Sequence, residues 1–97
     1  MTEQKVRPKS IKARHILVEH EYEAQDIERK LKQGDAFEEL AKKFSRCPSS
    51  KNGGDLGYFG RTRMVEEFAN AAFALEISEV SPPVRTKFGY HLIKREE

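Results

Sequence analysis

The chain has 97 residues, 37% apolar and 35% charged, with six Phe and three Tyr; that suits one compact domain with one modest core and is too aromatic for a disordered chain. No apolar run approaches the ~20 residues that cross a bilayer, and the first twelve residues lack the apolar stretch of a secretory signal. The net charge of +2 is uneven: Lys5, Arg7, Lys9 and Lys12 face one Glu3 in residues 1–12, whereas residues 13–97 carry 14 basic and 15 acidic side chains.

These counts divide the chain into a basic, flexible tail over 1–11 and a nearly neutral domain over 12–97. Four cations in a terminus read as solvation, so neither nucleic acid nor membrane is expected as a partner. Cys47 is the single cysteine; it closes no internal disulfide, and a cytoplasmic monomer is the expectation. A domain excised from a larger exported protein would share this composition.

In chain order, ARHILVE over 13–19 reads as a strand with both faces buried, hence a central one. Residues 21–33 form an amphipathic helix with Ala24, Ile27 and Leu31 inward, acidic at its start and basic at its end, as the helix dipole prefers. Gly34 suits the position just past its C-terminus. Asp35 with Glu38 resembles a capping box, opening a second helix in which Phe37, Leu40, Ala41 and Phe44 recur at helical spacing. Residues 45–55 are a loop with room for one helical turn. A short strand at 56–59 and a helix at 66–75, with Phe68, Ala71, Ala72 and Leu75 inward, follow. Ser81-Pro82-Pro83 breaks the chain before strands at 84–86 and 89–95. The sum is an α+β domain with one mostly antiparallel sheet.

Several chemistries are excluded cheaply. The sequence holds no GxGxxG, no phosphate-binding loop and no paired-cysteine zinc pattern. His15, His20, His91 and Cys47 lack the close spacing of local zinc motifs, so no metal and no cofactor is expected.

What is left is an ordered set: His15 within His-Ile-Leu-Val; Ser45-Arg46-Cys47-Pro48-Ser49; Gly53-Gly54-Asp55-Leu56-Gly57-Tyr58-Phe59; Met64 with Phe68 and Ala72-Phe73; and Phe88-Gly89-Tyr90-His91-Leu92-Ile93. In this order and spacing, over residues 12–96, the set resembles the signature of the parvulin family of prolyl isomerases. The resemblance implies a four-stranded, mostly antiparallel sheet surrounded by three to four helices. It implies that Leu56, Met64 and Phe68 hold the substrate proline ring. His15 and His91 would share a hydrogen-bond network beneath the site, Cys47 would sit at a position that is Cys or Asp in the family, and Thr86 and Phe88 would flank network and pocket. The implied partners are proline-containing, unfolded or flexible polypeptides, whose folding it would assist.

That chemistry suits these residues. Rotation about an Xaa-Pro bond breaks no bond; its barrier is loss of amide resonance, ~18–20 kcal/mol. An ordinary turnover needs a gain of roughly 10⁴, or about 5–6 kcal/mol. An apolar grip on the ring that favours the twisted amide can supply this by differential binding. Each residue also has a plainer reading. Leu56 and Phe68 fit as core, and His15 on an apolar strand face fits as a satisfied core histidine. Both histidines are therefore expected to orient polar neighbours, with no acid–base duty. Cys47 beside two histidines also allows a thiol hydrolase, but a position that accepts Asp needs polarity, not a thiolate. A further rival keeps the fold as a catalytically weak, proline-peptide-binding chaperone module. Between the first strand and first helix stand Glu19, His20, Glu21, Tyr22 and Glu23, where phosphate-directed members carry a long basic loop. A substrate phosphate would meet like charge there, so a non-phosphospecific member is implied.

Overall fold

The computed structural model describes residues 8–97. Four strands, β1 (Ile11–Val18), β2 (Asp55–Phe59), β3 (Val84–Thr86) and β4 (Gly89–Arg95), form one sheet in the order β2-β1-β4-β3. Every pairing is antiparallel. The helices are α1 (Glu21–Lys32), α2 (Phe37–Phe44) and α3 (Glu66–Ala74), with 3₁₀ turns at Pro48–Asn52 and Arg61–Arg63.

The two central strands carry apolar residues on both faces, and each face has its own core. Even-numbered Ile16, Val18 and Leu92 pack with Ala24, Ile27, Phe37, Leu40 and Ala41 of α1 and α2. Odd-numbered Ile11, Ala13 and Ile93 pack with Phe59 and with Phe68, Ala72 and Leu75 of the α3 segment. The period of two in a strand thus sorts one sequence run into two layers. The central placement expected for the first strand is the observed one. It opens at Ile11, however, fully buried and paired with Phe59, so the domain starts one residue before the boundary drawn at 12. Lys12 lies in that strand opposite Tyr58, while Lys5 and Arg7 fall outside the described residues.

α1 ends as expected. Gly34 takes φ +105, its N–H donates to the Leu31 carbonyl at 3.0 Å, and the Asp35 N–H donates to the Lys30 carbonyl at 3.1 Å. This is a Schellman closure. The helix that follows starts one residue later than the capping box implies: the N-cap of α2 is Ala36, with no side-chain bond, and not Asp35. Instead the reach-back expected there occurs at α1, where Glu23 Oε1 accepts the His20 N–H at 3.0 Å.

β2 contains the least expected feature. Lys12 pairs with Tyr58 but Arg14 pairs with Asp55, so β2 holds one extra residue. Gly57 at φ +67 absorbs this bulge, and Asp55 Oδ1 accepts its N–H at 2.8 Å. One extra residue reverses which face a side chain takes. Leu56 is thereby turned from the side of Tyr58 to the side of Phe59, where it packs against the α3 core.

Candidate functional site

β1, β4 and β3 lie side by side, and their pairing sets a diagonal row of side chains on the α3 face. His15 stands opposite Ile93 and His91 opposite Leu17, so the histidines are diagonal neighbours. His91 also faces Val84, which puts Thr86 diagonally beyond it. The side chains then meet: His15 Nδ1 and His91 Nδ1 share a hydrogen bond of 3.0 Å, and His91 Nε2 and Thr86 Oγ1 share one of 2.8 Å. Thr86 Oγ1 further accepts the Phe88 N–H at 3.1 Å. A continuous polar row therefore runs from β1 to the β3–β4 turn.

Burial fixes the charge state of this row. His15 and His91 are 5% and 4% exposed. Desolvation pushes both imidazoles down to about 4, with the charge of His91 adding to the effect on His15. At neutral pH both rings are uncharged, each with one N–H and one bare nitrogen. If His91 Nδ1 donates to His15, its Nε2 accepts the Thr86 hydroxyl; if it accepts, its Nε2–H donates to Thr86. His15 Nε2 ends the row, buried and without a hydrogen-bond partner among the described residues, as is Ser49 Oγ in the neighbouring loop. Buried unpaired polar atoms are few in folded proteins and gather where function constrains the packing.

Apolar side chains wall the row. The Phe68 ring meets His15 edge-on at 5.5 Å and His91 at 5.1 Å. Half-buried Leu56 and Met64 pack against the same cluster. Leu56 arrives through the β2 bulge and Met64 through the turn that precedes α3. Phe88 stands apart from this wall. It is 60% exposed at the β3–β4 turn, tied to the row only by its backbone, with Lys87 Nζ 5.3 Å from its ring centre.

Cys47 enters from the loop after α2, half-buried, with its backbone N–H 3.4 Å from Ser45 Oγ. Among the described residues the side-chain hydrogen-bond partners of the two histidines are each other and Thr86, and Cys47 is not one of them. The two histidines bond each other across the β1–β4 pair, whereas the loop docks on the opposite edge of β1.

That loop is fastened where β2 has ended. Beyond Arg14, the free edge of β1 is taken by loop atoms: the His15 N–H donates to the Gly54 carbonyl at 3.0 Å, and the Leu17 N–H to Ser45 Oγ at 3.0 Å. The Arg46 N–H donates to the Leu17 carbonyl at 2.8 Å. Arg14 Nη1 holds the Asn52 and Gly53 carbonyls at 3.1 and 3.2 Å while its Nε pairs with Glu96 at 2.8 Å. Sequence reasoning listed Ser45 in a motif without giving it a contact, and missed Arg14, because their partners lie 28 to 82 residues away. Among the described residues, no three His, Cys, Asp or Glu side chains gather as a metal-holding group.

Comparison with known proteins identifies the family and the fold. The family model described as rotamase, PPIC-type PPIASE domain, matches residues 7–97. A foldase protein PrsA of Geobacillus kaustophilus is 52% identical over 89 residues, covering 91% of this chain and 31% of that protein. The chain thus spans about a third of the length of such relatives. The crystal structure of PrsA from Bacillus subtilis superposes with a TM-score of 0.90 at 49% identity, covering 92% of this chain and 35% of that one. The solution structure of the parvulin of Nitrosopumilus maritimus gives 0.84 at 47% identity, covering 93% of this chain and 98% of that one.

Proposed function

The chain belongs to the PPIC-type, or parvulin, family of peptidyl-prolyl cis/trans isomerases, and on that premise we propose how its site acts and on what. The observation that carries the reading is the union of a neutral polar row, His15–His91–Thr86, with an apolar wall of Leu56, Met64 and Phe68. The wall grips the proline ring and excludes water. The row, uncharged at neutral pH, orients the floor of the site; rotation about the Xaa-Pro bond breaks no bond and transfers no proton, so the reaction asks no acid–base duty of either imidazole. Cys47 supplies polarity beside the twisting carbonyl, and Phe88, exposed at the rim, contacts the chain flanking the proline. Catalysis is differential binding of the twisted amide and involves no covalent intermediate.

The substrates we propose are unphosphorylated, flexible polypeptides, whose folding the domain assists as a monomer; foldase names among the relatives support this role. A cytoplasmic setting rests on the lone Cys47 alone, and the relatives lend it no support.

Selectivity tests the substrate reading. Glu19, Glu21 and Glu23 follow β1, and Arg46 is paired with Glu19 at 3.0 Å. A phosphate of about −1.5 to −2 charges meets carboxylates there. Isomerisation rates on matched Leu-Pro, Ser-Pro and phosphoSer-Pro peptides are expected to fall in that order. A faster rate on the phosphopeptide would overturn it.

A further inference from the structure

Ser45 joins three elements through one side chain and its own backbone. Its N–H donates to the Ala41 carbonyl at 3.0 Å and so ends α2. Its Oγ accepts the Leu17 N–H of β1 at 3.0 Å and the Cys47 N–H at 3.4 Å. The next residue, Arg46, donates its N–H to the Leu17 carbonyl at 2.8 Å. Both backbone groups of Leu17, two residues from His15 on the same strand, are thus held by residues 45 and 46. The Cys47 carbonyl in turn accepts the Ser50 N–H at 2.9 Å and starts the 3₁₀ turn. The hydroxyl of Ser45 thus ties the Cys47 backbone directly to the strand carrying His15.

We propose that Ser45 is a positioning residue for the isomerisation, setting the distance of Cys47 from the twisting amide by docking its loop onto β1. This rests on the role given to Cys47 above. Without the hydroxyl, the Leu17 N–H loses its acceptor and the Cys47 N–H its anchor, while Arg46 still holds Leu17. The loop then stays attached but loses its register. A displacement of the order of 1 Å in a catalytic group costs up to about a hundredfold in rate.

The test is a double-mutant cycle on a Leu-Pro peptide, reading kcat and KM for the wild type, Ser45→Ala, Cys47→Ala and both together. Ser45→Ala is expected to lower kcat/KM by about tenfold, chiefly in kcat, because it misplaces a catalytic group without touching the apolar wall. In the Cys47→Ala background it should cost nothing further, since a residue acting through Cys47 has nothing left to position. A general structural role would instead give the same loss in both backgrounds, which would overturn the proposal, as would Ser45→Ala at wild-type rate. Should circular dichroism show Ser45→Ala unfolded, Ser45→Asn replaces it; it keeps an acceptor, set one atom further out. Folded and slow, it supports the proposal; folded and as fast as wild type, it refutes it. An inactive wild type would instead remove the catalytic reading on which the proposal rests.

Discussion

Two imidazoles bonded to each other inside an apolar layer are sensitive to acid in a definite direction. Unfolded, each takes up a proton near pH 6.5; folded, only near 4. Between those values the unfolded chain binds more protons, so folding stability rises with pH across the window and is complete above 6.5. The midpoint of thermal unfolding should therefore fall between pH 7 and pH 5, above the range in which carboxylates titrate. A midpoint unchanged over that interval would contradict the buried, neutral pair. The pairing itself was foreseeable only through resemblance. Nothing local in HILV or GYHLI says that positions 15 and 91 meet; the β1–β4 register does. What the strand pattern did carry was the burial of His15, because its neighbours Ala13 and Ile93 are fully buried on the same face.

At the scale of elements, two glycines with similar backbones separate conformational need from packing need. Gly34 has φ +105 and open space where a Cβ would lie, whereas Gly54 has φ +83 and a Cβ there would meet the His15 carbonyl oxygen at 2.3 Å. Alanine at 34 pays only for the left-handed backbone, about 1–2 kcal/mol. Alanine at 54 adds a clash with the strand that carries the site, and should cost about 3 kcal/mol or more. Urea unfolding of the two variants checks the order; equal losses would mean that the loop does not press on β1. The sequence announced the helices through their apolar period and the end of α1 through Gly34, because those signals act within a turn or two. It did not announce the β2 bulge, since one extra residue is visible only against the partner strand. Nor did it announce that Ser81, beside two prolines, would be buried with its hydroxyl accepting the Ile93 N–H at 3.1 Å.

The whole molecule is a sheet with unequal faces. On one, α1 and α2 complete an apolar core; on the other, α3 covers a core interrupted by the polar row. The first and last strands of the described chain pair at the centre, so the site depends on contacts between residues 76 positions apart and forms only with the complete sheet. Phe68 belongs to wall and core at once: it is 3% exposed and packs on Phe59 as well as on both histidines. Truncating it would cost about 3–5 kcal/mol of stability and confuse catalysis with folding. Half-buried Met64 is the cleaner probe of the wall. The direct measurement is the cis/trans exchange rate of a Leu-Pro peptide, followed by NMR at catalytic protein concentration and without added metal, for the wild type, Met64→Ala and Cys47→Asp. The wild type is expected to quicken exchange by orders of magnitude, Met64→Ala to lose at least about tenfold through its weakened grip on the ring, and Cys47→Asp to keep a substantial part of the rate. A wild type that binds the peptide without quickening its exchange would rule out catalysis at this site and leave a binding module of the same fold.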